Sequence, residues 1–218
     1  MPPPRRGAPQ PRPPTRLYLI TPPIEDAGRF AADLDAALNA ADVAAVLLRF
    51  AGDEQRDLRE PVAALAPLIQ ARGVALLLDG RPELAAPLGA DGAHLTGADA
   101  LKRALSSLKP VRIAGAGGLK TRHDAMIAAE SGADYVMFGE PNAAGRRPPF
   151  PAILERVAWW AEVFEPACVG YAASLGEVGE LAAAGADFVA LGDAAWASDA
   201  AMAVGTAAAA IRPVEAQE

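Results

Sequence analysis

Short apolar runs alternate along this chain with longer stretches rich in alanine, leucine and charged residues. In the longer stretches apolar residues recur at spacings of three and four, which is the period of an amphipathic helix. The short runs are uniformly apolar, as is typical of parallel strands that are buried on both faces. The pattern therefore predicts one repeated unit, a strand followed by a helix.

Eight short runs have the composition of a strand. The predicted strands are residues 17–20, 43–49, 74–79, 92–95, 111–115, 135–138, 168–171 and 188–191. Helical patterns lie between them, among them residues 29–40, 58–72, 124–131, 153–164 and 177–184. Eight such units in a chain of this length predict a TIM barrel, (β/α)₈, over residues 17–212.

The tripeptide Gly-Ala-Asp occurs at three predicted helix ends, at residues 89–91, 132–134 and 185–187. Glycine directly after a helix can adopt the left-handed conformation that ends it, so the three copies support one repeated unit. A doubly wound open sheet is the alternative fold. It would require a glycine-rich turn after the first strand, where this chain has Thr21-Pro22-Pro23, so the barrel is favoured.

The two ends of the chain differ in composition from the predicted barrel. Residues 1–16 hold seven prolines and four arginines without one acidic residue, which predicts a disordered basic tail. Residues 213–218 are predicted to form a short C-terminal tail. The N-terminal tail lacks the apolar core of a secretory signal, and no later stretch predicts a transmembrane helix, so a cytoplasmic location is expected.

Charge and composition limit the kind of partner. A formal net charge of −7 argues against a general binder of nucleic acid or of anionic membranes. The chain has one cysteine, Cys168, and two histidines, which excludes a disulfide framework and disfavours a cysteine or histidine metal cluster. A small molecule is therefore the expected partner, and any metal should bind to carboxylates.

Active sites of TIM barrels lie at the C-terminal ends of the strands, so the residues there are the candidates for function. The second strand ends in Arg49, a candidate anion ligand; a salt bridge to a neighbouring acid is the structural alternative. Asp79 and Arg81 follow the third strand. His94 and Asp99 follow in the fourth unit, although both aspartates could also act only at helix N-termini.

Two further loops carry candidate anion-binding groups. Gly118 belongs to a glycine-rich turn that precedes Lys120 and could expose backbone N–H groups to an anion, but such a turn is also common without function. The loop of residues 139–149 is polar, unusually long for this chain and contains Arg146 and Arg147, as a lid would. Solvent-exposed arginines are the alternative there.

Five segments resemble the family of thiamine phosphate synthases and thiazole tautomerases. They read LYLITP from Leu17, VLLR up to Arg49, DGRPELAAPLGADGAHLTGAD from Asp79 to Asp99, SGADYVMFGEP from Ser131, and AAAGADFVALG up to Gly192. The resemblance extends over residues 17 to about 211 and supports the barrel fold.

The resemblance implies a synthase that joins a pyrimidine methyl diphosphate to a thiazole phosphate with Mg²⁺ on the leaving diphosphate. It implies a diphosphate-binding role for Arg49, further positive charge from Arg81 and Arg147, and magnesium ligation by Asp99 with Asp79. The implied substrate-binding residues are Arg49, Asp79, His94, Gly118, Lys120, Arg147 and Gly192.

Several positions depart from the family pattern. Leu47 and Ala51 stand where the family has a polar residue and a lysine, and Ala172-Ala173-Ser174 replaces a glycine pair. Asp193 places a carboxylate where a phosphate would approach. A non-catalytic member that binds a small phosphorylated heterocycle is therefore one alternative, and a tautomerase-like isomerase is another. The Trp159-Trp160 pair on the helix ring could support a homodimer; a core role for one of the two tryptophans is the alternative.

Overall fold

A computed structural model describes residues 13–52 and 57–211 of the chain. The predicted C-terminal tail and most of the predicted N-terminal tail lie outside these residues. Within them, the last two residues of the predicted N-terminal tail join the barrel: Arg16 begins the first strand, and the Thr15 hydroxyl donates to the Ala186 carbonyl at 2.8 Å. None of the described helices is long and apolar enough to cross a membrane.

Eight parallel strands close into a barrel in which each strand pairs with the next and the eighth pairs with the first. The strands are β1 Arg16–Ile24, β2 Val43–Phe50, β3 Ala75–Asp79, β4 Gly92–Thr96, β5 Ile113–Gly117, β6 Tyr135–Phe138, β7 Ala167–Ala172 and β8 Phe188–Leu191. The helices are α1 Ala27–Ala40, α2 Arg59–Gln70, α3 Pro82–Ala85, α4 Ala98–Leu108, α5 Arg122–Ser131, α6 Phe150–Val163, α7 Val178–Ala183 and α8 Ala200–Ile211. The predicted TIM barrel is confirmed.

The first strand is longer than the sequence predicts. It continues through two prolines to Ile24, with a shift in register between Ile20 and Pro23. Proline lacks the N–H that a strand ladder uses, so the sequence pattern predicts that the strand ends at Ile20. In the structure, the backbone N–H of Arg49 donates to the Thr21 hydroxyl instead, at 3.0 Å.

Two apolar layers stabilise the barrel. The larger one lies between the strands and the surrounding helices, and it contains Trp160, which is fully buried and stacks on Phe164. Trp159 is partly buried beneath the Arg122 guanidinium, so one of the two predicted surface tryptophans belongs to the core. The second layer fills the inside of the barrel with Tyr18, Ile20, Leu47, Leu77, Tyr135, Met137, Val169, Tyr171 and Ala190.

The three Gly-Ala-Asp copies share one conformation. Gly89, Gly132 and Gly185 have φ angles of 70°, 110° and 95°, a left-handed conformation that residues with a side chain rarely adopt. The alanine N–H then bonds back to a carbonyl five residues earlier in each copy, for example Ala133 to Ala128 at 3.1 Å. Each helix or helical turn thus ends by the same device and passes directly into the next strand.

The aspartate of each copy reaches sideways to the preceding strand. Its carboxylate accepts a hydrogen bond from a backbone N–H near the start of that strand, with N···O distances of 2.7 to 2.8 Å. The pairs are Leu76 to Asp91, Ala114 to Asp134 and Cys168 to Asp187. These bonds satisfy N–H groups at the N-terminal face of the barrel, opposite the face where the strands end.

Replacing Asp187 by alanine should lower the free energy of unfolding by about 1–3 kcal/mol, because the hydrogen bond from the backbone N–H of buried Cys168 to the Asp187 carboxylate is lost. Urea denaturation followed by circular dichroism measures the change. Asp33→Ala, at an exposed position on α1, is the control and should change stability by less than about 0.5 kcal/mol. Equal effects of the two substitutions would contradict the assigned role.

Candidate functional site

A cavity of about 640 Å³ opens at the C-terminal ends of the strands. Its deepest apolar residues are Ile20, Leu47 and Met137, all at most 5% exposed, and together they are called the cavity floor here. Seven of the residues predicted from sequence line this cavity. They are Arg49, Asp79, His94, Gly118, Lys120, Arg146 and Arg147.

Arg49 is held in place by the end of β1. Its Nε donates to the Thr21 carbonyl at 2.6 Å, and its Nη2 lies 3.5 Å from the Asp193 carboxylate. The Asp193 side chain is 86% exposed, so this long ion pair stabilises the fold little. The guanidinium is therefore oriented by the backbone while it still lines the cavity, an arrangement suited to binding an anion.

A buried chain of hydrogen bonds crosses the barrel beneath and beside the cavity. The hydroxyl oxygens of Tyr18 and Tyr135 are 2.8 Å apart, and the Tyr135 hydroxyl lies 2.8 Å from His94 Nδ1. His94 Nε2 lies 3.4 Å from the Glu140 carboxylate, which lines the cavity. Four side chains from β1, β4, β6 and the loop after β6 thus form one connected group.

Two glycines of β5 make room for this group. A Cβ atom on Gly115 would lie 2.0 Å from the Tyr135 ring, and one on Gly117 would lie 2.2 Å from Glu140 Oε1. Any larger residue at either position would collide with the tyrosine or the glutamate. The glycine-rich sequence of β5 therefore admits side chains from β6 and the loop that follows it, a role that the sequence analysis did not assign.

The electrostatics of the cavity involve two acids, an imidazole and Arg49. Burial raises the pKa of Asp79, although the charges of His94 and Arg49 oppose that rise. Burial by itself lowers the pKa of His94, but the hydrogen bond and charge of Glu140, with the charge of Asp79, outweigh it and leave the pKa above its ordinary value. The cavity thus favours a protonated imidazole between two carboxyl groups.

Arg147 fastens the long loop of residues 139–149 to the barrel. Its Nη1 donates to both carboxylate oxygens of Glu177 at 2.9 and 3.0 Å, and its Nε donates to the Gly139 carbonyl at 3.1 Å. Both partners of the ion pair are less than one-fifth exposed. Its hydrogen-bonding capacity is largely used within the protein, although the side chain does line the cavity.

The loop and the turn after β5 each supply a cation without such a partner. Lys120 and Arg146 line the cavity and are exposed; within residues 13–52 and 57–211, neither side chain has a hydrogen bond or an ion pair. We call these two residues the rim cations. The sequence analysis named both arginines of the loop, and the structure distinguishes the paired Arg147 from Arg146.

Three predicted site residues lie outside this cavity. Arg81 precedes α3, and its Nε donates to Glu83 at 2.9 Å. Asp99 is exposed in the first turn of α4 and lines a neighbouring recess of about 490 Å³. Gly192 is buried against Tyr171, whose hydroxyl would lie 2.5 Å from a Cβ at that position, so this glycine makes room for the tyrosine ring.

The two predicted magnesium ligands do not line one cavity. Asp79 lines the main cavity and Asp99 lines the neighbouring recess, while Thr96, Gly118 and Lys120 line both. No group of three potential metal ligands occurs among the described residues. Magnesium needs only one or two protein carboxylates when a phosphate supplies other oxygens, so the exposed carboxylate of Asp99 fits that mode of binding.

Glu140 is the main cavity residue to which the sequence analysis gave no role. It follows β6 by two positions, as other candidates follow their strands, so the rule about strand ends could have identified it. The position of the Glu140 carboxylate depends on the absence of a side chain at Gly117, and the spacing of residues along the sequence does not reveal that contact.

Comparisons with known proteins agree in fold and sequence. The sequence model described as thiamine monophosphate synthase matches residues 17–195. The thiamine-phosphate synthase of Rhodospirillum centenum is 42% identical over 184 residues, which cover 83% of this chain and 89% of that protein. That of Hyphomonas neptunium is 40% identical over 196 residues, covering 86% and 88%.

Solved structures show the same barrel. Thiamine phosphate pyrophosphorylase from Pyrococcus furiosus superimposes with a TM-score of 0.75 at 23% identity, covering 90% of this chain and 95% of that one. A 3-hexulose-6-phosphate synthase superimposes with a TM-score of 0.69 at 13% identity, covering 90% and 100%. At these identities the structural likeness demonstrates the fold alone.

Replacing Asp79 by asparagine should stabilise the protein at neutral pH. Because its pKa is raised in the folded state, ionisation of Asp79 costs stability as the pH rises above its ordinary value of 3.8. The amide avoids that cost, so the melting temperature should rise by about 2–4 °C near pH 7, and the gain should shrink toward pH 4.

Differential scanning calorimetry of both proteins between pH 4 and pH 8 measures the difference. Asp33→Asn is the matched control and should not change the melting temperature at any of these pH values. A variant Asp79→Asn that is less stable than the wild type at pH 7 would show that the charges of Arg49 and His94, rather than burial, dominate at this position.

Proposed function

Because the chain belongs to the thiamine monophosphate synthase family, we propose that it is a transferase of thiamine biosynthesis. The proposed reaction joins a pyrimidine methyl diphosphate to a thiazole phosphate and releases diphosphate. The bond between the methylene carbon and the diphosphate oxygen breaks with its electron pair on oxygen. The thiazole then supplies the electron pair of the new bond to that carbon.

One observation supports this proposal most directly: cationic side chains lie above an apolar cavity floor. Arg49 and the rim cations, Lys120 and Arg146, line the same cavity as Leu47 and Met137. A heterocycle with an anionic tail matches this distribution, since the ring can contact the floor while the tail meets the cations. The leaving diphosphate gains negative charge as it departs, and fixed cations stabilise that charge.

Such a reaction requires little general acid or base catalysis from the protein. Its residues have to hold two reactants in line and neutralise the leaving group. Arg49 is suited to bind the diphosphate through its planar guanidinium, because the Thr21 carbonyl already fixes its orientation. The buried floor excludes water, which would otherwise react with an electron-poor methylene carbon.

Magnesium is part of the proposal. When bound, it would neutralise negative charge on the diphosphate, and Asp99 would hold it beside Lys120 at the edge that the two recesses share. Asp79 stays a predicted second ligand. Its burial, which raises its pKa, makes it less suited than Asp99 to carry a charge in the absence of the metal.

The ion pairs of two arginines bear on the roles that the resemblance implies. Arg147 is paired with Glu177 and Arg81 with Glu83, so we propose that the rim cations supply positive charge more readily, while the roles of Arg81 and Arg147 stay predictions. Gly118 and Gly192 remain proposed substrate-side positions. The cytoplasmic location and a homodimer remain predictions of the sequence.

Arg49→Ala should abolish stabilisation by diphosphate. Thermal-shift measurements with inorganic diphosphate, with and without Mg²⁺, should give a rise in melting temperature for the wild type and none for the variant. Turnover of the two substrates should fall by about 10²-fold or more, as expected when a group that stabilises transition-state charge is removed. Arg59→Ala, at an exposed position that does not line the cavity, is the control.

A wild-type protein that forms no thiamine phosphate with both substrates and Mg²⁺, while a known synthase is active in the same assay, would overturn the proposed activity. If it still bound diphosphate, the non-catalytic alternative would gain support. Turnover of a thiazole phosphate without the diphosphate substrate or Mg²⁺ would instead favour the isomerase alternative.

Arg146→Ala and Arg147→Ala should have different effects. Loss of the Arg146 side chain should raise the Kd for diphosphate by about 5- to 20-fold, in the range of one charge-assisted hydrogen bond, without changing the melting temperature. Loss of Arg147 should lower the melting temperature, because Glu177 loses its mostly buried partner. Calorimetric titration and thermal denaturation of both variants separate the two roles; identical behaviour would contradict the assignment.

A further inference from the structure

The Glu140 carboxylate is a mostly buried acidic group of the loop after β6. Its side chain is 18% exposed, although it belongs to a loop whose next six residues are all exposed. A carboxylate is costly to bury, so such a group is kept in a cavity only where other groups compensate it. The proposed diphosphate displacement uses no general base, and the mechanism described above leaves Glu140 without a function.

The surrounding structure fixes the position of this carboxylate. Gly117 provides the space that the two carboxylate oxygens occupy, and His94 Nε2 lies 3.4 Å from Oε2. His94 is in turn oriented by the Tyr135 hydroxyl at Nδ1. Among residues 13–52 and 57–211, His94 is the only group that contacts the Glu140 carboxylate through a hydrogen bond or an ion pair. Acceptor capacity therefore remains for a ligand.

The charges in the cavity are distributed unevenly with depth. The rim cations are exposed, whereas Glu140 and Asp79 lie deeper, beside the apolar floor. A ligand that matches both regions has an anionic tail and, at its other end, an apolar ring that donates hydrogen bonds. An amino group next to a ring nitrogen forms such an edge, and a carboxylate binds it most strongly when that nitrogen carries a proton.

We propose that Glu140 is a specificity-determining residue that binds the amino-substituted edge of the nitrogen heterocycle, with His94 positioning its carboxylate. This inference rests on the proposed function, because it assigns the ring of the same diphosphate substrate to the cavity floor. Asp79 is the only other described carboxylate that lines the cavity, and its neighbours Arg49 and His94 compete for its charge. Glu140 therefore sets the preference for an amino group over a carbonyl oxygen, since two acceptors facing each other repel.

The test compares three probes by calorimetric titration: an aminopyrimidine methyl diphosphate, the matching oxopyrimidine methyl diphosphate, and inorganic diphosphate. The wild type should bind the amino ester at least about tenfold more tightly than the oxo ester. In Glu140→Gln this ratio should fall close to one. After a rotation of its side-chain amide, glutamine can accept a hydrogen bond from the amino group or donate one to the carbonyl oxygen. The Kd for inorganic diphosphate should be the same in both proteins.

Two further variants separate the possible explanations. Glu155→Gln, which changes an exposed acid paired with Arg122, should leave all three Kd values unchanged. Arg49→Ala should weaken all three probes without changing the ratio between the two esters, which distinguishes the failure of anion binding from the failure of ring recognition. Glu140→Asp keeps the charge but shortens the side chain, and should retain a preference for the amino ester if the variant Glu140→Gln proves unstable.

An amino-to-oxo ratio that is equal in the wild type and in Glu140→Gln would overturn the proposal, even if diphosphate binding still depended on Arg49. A uniform loss of affinity for all probes would also overturn it, because it would show that Glu140 only supports the structure. A wild type that binds inorganic diphosphate but discriminates between the esters by less than twofold would do the same while leaving the proposed function intact.

Discussion

The absence of side chains at two positions on the inner face of β5 is the constraint on which the site depends. Gly115 and Gly117 leave space that the Tyr135 ring and the Glu140 carboxylate occupy. Only with that space available can Tyr135 reach both Tyr18 and His94, and only then does Glu140 reach the imidazole. Interiors of TIM barrels are usually filled by branched aliphatic residues, so a polar chain at this depth requires complete hydrogen bonding.

This polar chain determines what the cavity can bind. It connects β1, β4 and β6 and places an imidazole with a raised pKa between two acids, Asp79 and Glu140. The cations stand at the opening, where water can still solvate them before a ligand arrives. Under the proposed function, a ligand with opposite charges at its two ends would be aligned along the barrel axis, which is the kind of orientation that a two-substrate condensation requires.

The sequence predicts the barrel well because its signals are local and repeated. Eight apolar runs and three Gly-Ala-Asp copies identify the repeat, and strand ends such as Arg49 identify the cavity. Sequence patterns assign no role to Glu140 and favour Arg147 over Arg146 as an anion ligand, because the contacts that distinguish these residues join distant parts of the chain. The ion pair of Arg147 with Glu177 spans 30 positions, and the space for Glu140 is created by a glycine on another strand.

The carboxylates of Asp91, Asp134 and Asp187 are placed so that the two ends of the barrel can change independently. They anchor the strand beginnings at the end distant from the cavity, through bonds that involve no residue of the opening. Departures from the family pattern at the cavity end of the barrel, such as Leu47 and Asp193, can therefore accumulate without weakening those hydrogen bonds. The residues at the cavity end can therefore change the ligand that is preferred, while the aspartate hydrogen bonds keep the strands in place at the other end.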